Sequence, residues 1–199
     1  PHVSHTIEFY PEEGKYHFSG HRNCAVVFGP EEIRTKGNIC PVCHRKLTEG
    51  VLFRVGQLAD PALFGNAQGK ISPNQIKWHT DRTKKHPPYV KLVPLNEIIA
   101  ESLDSTVSGQ KVLAKFDEMC KYFGSEMNIL LKTSIAEIEL REGAKIAQGI
   151  KKVREGDIAI KPGFDGEYGR VKIWSEDLDG KEVGEEKKET PKSQLGLGF

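Results

Sequence analysis

Nowhere does this chain carry an apolar run approaching the roughly 18 residues of a membrane span, and its start lacks a basic stretch followed by an apolar one. On those two absences neither a membrane-spanning helix nor a secretory leader is expected, and the expected setting is intracellular, cytoplasm or nucleoid. Charge of one sign is missing as well. The formal net charge is +1, so any nucleic-acid footprint must come from local clustering. Cysteine is scarce. Of 4 cysteines, Cys24, Cys40 and Cys43 lie close together in the front of the chain, which suits reduced thiols used for metal better than a disulfide framework. The chain opens on Pro1 rather than a methionine, and it is expected to be a piece of something longer. What is present, 37% hydrophobic and 29% charged residues over 199 positions, can fill one core or two small ones joined by a linker.

The strongest chemical signal is spacing. His21-Arg-Asn-Cys24 and Cys40-Pro-Val-Cys43 are two pairs in which two residues separate the ligands, with a mid-teens spacer between the pairs. Each pair can bite an ion from a tight turn while the spacer folds back, which is what a tetrahedral zinc site needs. The three thiols are fixed by this pattern. The fourth ligand is His21 by spacing, with His17 and His44 as the neighbouring alternatives. Four protein ligands leave no open position to activate water, so the zinc is expected to be structural.

The local pattern predicts a fold of the α+β class. Residues 6–10 and 16–18 alternate and read as short strands, joined by a turn at Glu12-Glu13-Gly14-Lys15. Residues 24–28 continue in the same style, Pro30 begins a helical turn stopped by Gly37, and residues 50–55 read as another strand. This gives a small zinc-ribbon-like β module over 1–60. Residues 61–94 are broken by Pro61, Gly65, Gly69, Pro73 and Pro87-Pro88 and read as a loop or linker. That stretch carries Lys70, Lys77, Arg82, Lys84 and Lys85 against Asp81, with Trp78 among them. Cations for phosphates beside an aromatic that can stack on a base form the local signature of nucleic-acid contact.

A mainly helical domain with a terminal hairpin is expected over 95–176. Asn96 is the expected cap of its first helix. Val112, Leu113, Phe116, Met119, Cys120 and Phe123 then fall on one helical face closed by Gly124, which makes Cys120 a core residue rather than a ligand. Ser134 and Glu137 have capping-box spacing, and Ile146, Ala147, Ile150 and Val153 line a second stripe. Lys145, Lys151, Lys152 and Arg154 lie off that stripe, and Lys151 and Lys152 are candidates for a second DNA-facing basic surface. A hairpin follows around Ile158, Ile160, Val171 and Ile173. The mixed-charge tail, 177–193, cannot bury enough to fold and is expected to be disordered. It ends in an apolar peptide, 194–199.

Several longer runs carry a resemblance. Glu8-Phe-Tyr-Pro-Glu-Glu-Gly-Lys-Tyr-His17, the two metal pairs, Arg54-Val-Gly-Gln-Leu-Ala-Asp60, Pro87-Pro-Tyr-Val-Lys-Leu-Val-Pro-Leu95, Phe123-Gly-Ser-Glu-Met-Asn-Ile-Leu-Leu131 and Gly163-Phe-Asp-Gly-Glu-Tyr-Gly169 resemble the archaeal endonuclease Q family. The resembling part is the zinc-binding and C-terminal helical portion, downstream of the nuclease domain. The resemblance implies a DNA-repair enzyme that cuts 5′ of uracil, hypoxanthine, xanthine and abasic sites. It further implies that a polymerase-and-histidinol-phosphatase type domain, upstream of Pro1, holds the catalytic divalent metal. On this reading the present piece grips double-stranded DNA with deaminated bases and lacks the nuclease centre. The resemblance also makes Gln194, Leu197 and Phe199 a shortened sliding-clamp box. The chain departs from the family at Val27, where relatives often place a further cysteine.

Two other classes remain as alternatives. One is a self-contained metal-dependent nuclease built on His2, His5, His17, Glu8, Glu12 and Glu13, since dense carboxylates and histidines can hold a divalent ion. The other is a protein-docking module that never touches DNA.

Overall fold

The computed structural model describes residues 3–59, 68–81 and 85–174. The expected tail, 177–193, the peptide 194–199, Arg82, Lys84 and His2 lie outside the described residues. Among the described residues no helix is long and apolar enough to cross a membrane.

The front of the chain is a small metal-cluster module with its own miniature core. Strand β1 (Thr6–Glu8) does not form the expected hairpin with residues 16–18. Pro11 opens a 3-10 turn, Pro11–Glu13, that carries the chain away. The next strand is β2 (Ser19–His21), slightly later than the alternation suggests, and it pairs antiparallel with β3 (Val26–Phe28), Ser19 opposite Phe28 and His21 opposite Val26. Helix α1 (Pro30–Lys36) starts on proline and stops at Gly37, whose φ of 79° is the left-handed end that glycine tolerates. The Gly29 N–H donates to the Glu32 carboxylate at 3.1 Å, closing the helix start.

Residues 50–55, expected as a strand, instead open helix α2 (Val51–Leu58). Val51, Val55 and Leu58 sit at helical spacing, and a short apolar run looks the same in either state until its neighbours are known. Val26, Phe28, Ile33, Cys40 and Leu47 form the module's core, edged by Cys24, Cys43 and Phe53. Five buried apolar residues are too few to hold such a unit by burial alone.

The region expected as a loop contains strands. β4 (Gln68–Ile71) and β5 (Lys77–Thr80) form an antiparallel hairpin with Lys70 opposite Trp78, and β6 (Tyr89–Lys91) pairs with β5 on one side and, in parallel, with β1 on the other. The resulting sheet has the order β1-β6-β5-β4. Pro73 and the turn ending at Gln75, with φ of 61°, occupy the hairpin end, so the breakers mark a turn rather than a linker. Ile76, Val90, Leu92 and Val93 enter the main core beside the helices.

The helical layer follows the sequence stripes closely. Helix α3 (Leu95–Ser102) has Pro94 at its N-cap position, two residues earlier than the expected Asn96. Helix α4 (Gln110–Phe123) buries Val112 and Met119, packs Phe116, Cys120 and Phe123 on the core, and ends at Gly124. Leu113 departs from the expected stripe and is exposed. Helix α5 (Glu126–Leu131) is capped by Ser125, and α6 (Ile135–Glu142) by Ser134, whose side chain accepts from the Glu137 N–H at 3.2 Å. Helix α7 (Ala144–Glu155) buries Ile146, Ala147, Ile150 and Val153 and ends in left-handed Gly156. Arg154, placed by spacing on a solvated basic face, is instead buried, 1% exposed. Its stem continues the apolar stripe and its guanidinium reaches the carbonyls at the end of α5.

The chain then forms the expected hairpin of β7 (Ala159–Lys161) and β8 (Arg170–Lys172), Ile160 opposite Val171. Its loop reaches back to the front of the molecule. Phe18 N–H donates to Gly163 O at 2.9 Å, Gly163 N–H to Glu12 O at 2.8 Å, Gly166 N–H to Lys15 O at 3.1 Å and Gly169 N–H to Glu13 O at 3.0 Å. A side chain at Gly169 would meet the Glu12 carbonyl at 2.0 Å, so the strap needs glycine there.

Candidate metal centre

Two turns of similar build supply the donors. His21 leaves β2 in extended conformation and leads into a 3-10 turn, Arg22–Cys24, after which Ala25 adopts left-handed φ of 52° and its N–H donates to Arg22 O at 3.0 Å. On the other side Cys40 N–H donates to Arg45 O at 2.8 Å, His44 N–H donates to Cys40 O at 2.9 Å, and His44 is left-handed with φ of 58°. In each pair the residue after the second ligand turns the chain sharply back, which keeps both side chains of the pair aimed one way.

The donor atoms of His21, Cys24, Cys40 and Cys43 all lie within 4.8 Å of one another, and this is the one His/Cys/Asp/Glu group among the described residues able to hold an ion. Cys43 Sγ is 3.2 Å from His21 Nδ1. Burial alone would raise the Cys40 thiol, but backbone N–H groups of Cys43 and Val42, then His21 and Cys43, bring it down to about 6. The Cys24 thiol is pushed up to about 11 by desolvation and by its two neighbouring sulfurs. Three thiols crowded in this way oppose one another's ionisation unless a cation joins them, and three sulfurs with one imidazole are the soft, closed set that zinc prefers. The cluster fits a structural Zn2+.

The two alternative histidines stand apart. His44 is exposed and spends its backbone on the turn. His17 is 7% exposed and stacks on Phe18 at 5.3 Å between centroids. Burial holds its imidazole below the ordinary value, and burial with Lys77 and Lys91 does the same to His79. His5, Glu8, Glu12 and Glu13, proposed with His17 as a catalytic cluster, do not converge. The depressed histidines have a consequence for acid stability. Their stabilising share is whole above the unfolded imidazole value of about 6.5 and is lost as pH falls toward the folded value. The His79→Gln variant, which leaves the metal ligands in place, is expected to lose less stability than the parent between about pH 7.5 and 5.5 in urea melts. Equal losses would remove His79 as a contributor.

A carboxylate that sequence reasoning missed fastens this centre to the rest of the molecule. Asp165, in the loop after β7, accepts from the Arg22 N–H at 2.7 Å and from the Thr48 hydroxyl. Burial works against its charge, but these two donors and the nearby His21 and Arg22 hold the carboxyl below its usual range. The only sequence hint was an acid set between glycines in Gly163-Phe-Asp-Gly166.

Comparison with known proteins gives this arrangement a context. A family profile described as the MJ0043 C-terminal domain matches residues 94–157. The uncharacterized protein MJ0043 of Methanocaldococcus jannaschii is 32% identical over 161 residues, 81% of this chain and 18% of the relative. The crystal structure of the lesion-specific endonuclease PfuEndoQ from Pyrococcus furiosus matches with a TM-score of 0.64 and 28% identity, over 88% of this chain and 39% of that one. The chain shares structural homology with part of archaeal endonuclease Q. A second endonuclease Q structure, a complex with a 27-mer duplex substrate with an abasic lesion at the active site, matches with a TM-score of 0.60 and 28% identity over 88% of this chain and 40% of that one. The endonuclease Q likeness extends well beyond the helices of the family profile, and this chain spans well under half of each relative.

The candidate DNA residues are placed unevenly on the endonuclease Q-like fold. Lys70 is exposed on β4 beside Trp78, and Lys85 is exposed before β6. Trp78 leans on the main core and meets His5 edge-on at 5.3 Å, which leaves it partly buried rather than free to stack. The Lys77 stem lies over Gly69 and reaches Gly156 at the end of α7. Lys151 faces Glu155 at 4.0 Å and Lys152 pairs with Asp157 at 2.6 Å, so neither is a bare cation. Arg82 and Lys84 lie outside the described residues.

Proposed function

We propose that this chain is the DNA-gripping portion of a repair endonuclease of the endonuclease Q kind, in which a segment outside it cuts 5′ of deaminated bases or abasic sites. The observation that supports this most is the match, over 88% of the chain, to a protein captured on a lesion-bearing duplex. The metal module (1–60) acts as scaffold, since its closed donor set offers no position for a reacting water. The hairpin and the following segment present Lys70, Lys77, Lys85, Arg82 and Lys84 to phosphates, with Trp78 behind them, while Lys151 and Lys152 of the helical domain (95–176) add a flanking contact. An enzyme that inspects a single base must take it out of the stack, and a firm hold on the flanking backbone supplies the purchase for doing so. The peptide Gln194, Leu197 and Phe199 docks a sliding clamp.

Fluorescence anisotropy with uracil-containing and abasic duplexes tests this. Affinity is expected to fall steeply with salt, with a log–log slope of about −0.9 for each phosphate engaged, and the isolated chain is expected to leave the duplex uncut. Removal of 194–199 is expected to abolish clamp capture while DNA binding stays. An affinity indifferent to salt would sink the basic-contact reading, and clamp binding that survives the deletion would sink the tail assignment.

A further inference from the structure

The first turn of α6 opens into a cleft of about 280 Å3 bounded by Asn74 and Gln75 of the β4–β5 turn, Lys132, Ser134, Ala136 and Arg154, and no acidic residue lines it. Three sources of positive potential meet there. Arg154 is 1% exposed and each of its partners among the described residues is a backbone carbonyl: Leu130 at 2.9 Å, Ile129 and Thr133 at 2.6 Å, and Asn74 at a long 3.4 Å. Among the described residues no carboxylate pairs with it. Nη1 makes only the long bond to Asn74, so one of its N–H groups has no acceptor among the described residues. At the start of α6 the Ser134 side chain takes the Glu137 N–H, which leaves those of Ile135 and Ala136 without a protein acceptor among the described residues. Lys132 is exposed at the rim.

A buried cation without a counter-charge is expensive, and aligned backbone donors at a helix start favour an anion. The two features share one cavity, with a lysine at its edge. We infer that this cleft binds a phosphate group, held by Arg154, the first amides of α6 and Lys132. Resting on the DNA-gripping reading above, the group is a backbone phosphate of the duplex, and the cleft fixes the helical layer on the strand as a positioned contact rather than a diffuse one.

Lys132 carries the test because it is exposed and its replacement spares the fold, whereas Arg154 is structural. Titration with inorganic phosphate is expected to shift the Ile135 and Ala136 amide signals and the Arg154 Nε–H signal saturably. Lys132→Gln should weaken that response without changing the melting temperature. In DNA titrations the same variant is expected to lower the salt slope by about 0.9, one phosphate contact. If phosphate moves none of these signals and the slope is unchanged while the parent still binds DNA, the inference is overturned and the DNA reading stands. If phosphate binds as described but the chain ignores DNA, the cleft is a site for free phosphate and the DNA reading falls. Shifts spread evenly over surface lysines, with none at α6, would mean an adventitious ion only and also overturn the site.

Discussion

Stripping the metal with a strong chelator is expected to melt the module made of β2, β3, α1 and α2 while the helical layer keeps its structure. The expectation rests on two unequal cores. The main core buries residues from β6, α3, α4, α5, α6 and α7 together. The module has five buried apolar residues, one of which, Cys40, is itself a donor. Apparent binding free energies of structural zinc are about 10–16 kcal/mol in small peptides and act as folding free energy, well beyond what a core of that size supplies. Amide spectra should lose the signals of residues 19–53 and keep those of 95–155, and Cys40→Ser should reproduce the loss without chelator. Unchanged module signals in metal-free protein would refute the structural role.

Replacing Arg154 by alanine should be the most damaging single change in the helical layer. The guanidinium closes the end of α5 by accepting none and donating to Ile129, Leu130 and Thr133, and it also touches Asn74 of the β4–β5 turn. Removing it strands several buried carbonyls at about 1–3 kcal/mol each, offset in part by water entering from the adjoining cleft. A net loss on the order of 4 kcal/mol is expected. Burial lowers the guanidinium to about 10, so the charge persists at neutral pH. Arg154→Lys keeps that charge but cannot fork to several carbonyls, and denaturant melts should place it between the parent and the alanine variant. Parent-like stability of Arg154→Ala would show the carbonyls to be satisfied without it.

The helical layer was largely legible where a helix carries a stripe or a cap: Val112 and Met119 on α4 and Ile146 to Val153 on α7 fall where the periodicity puts them, and Ser134 caps α6 as its spacing suggests. The metal pairs were legible because ligand spacing is a local property. What escaped were features decided across the chain. β1 takes its partner from β6, Val51 to Leu58 form a helix from an apolar run that suits a strand equally well, and Arg154 is buried against the end of α5. Asp165 has no local mark of its role, since Arg22 and Thr48 reach it only once the loop has folded back.

That returning loop bears on how the molecule is made. Arg22 and Asp165 are 143 residues apart in sequence, so the metal module, which leaves the ribosome well before the hairpin, cannot receive these hydrogen bonds until the hairpin has been synthesised. Contacts of such long range are slow to close and are the ones that raise contact order. Metal uptake can begin early, because its ligands are near neighbours in the chain, whereas the loop acts as a final latch that joins a prefolded, ion-bearing unit to the rest. Newly synthesised protein should therefore pass through a stage in which the metal is bound and the module still swings free.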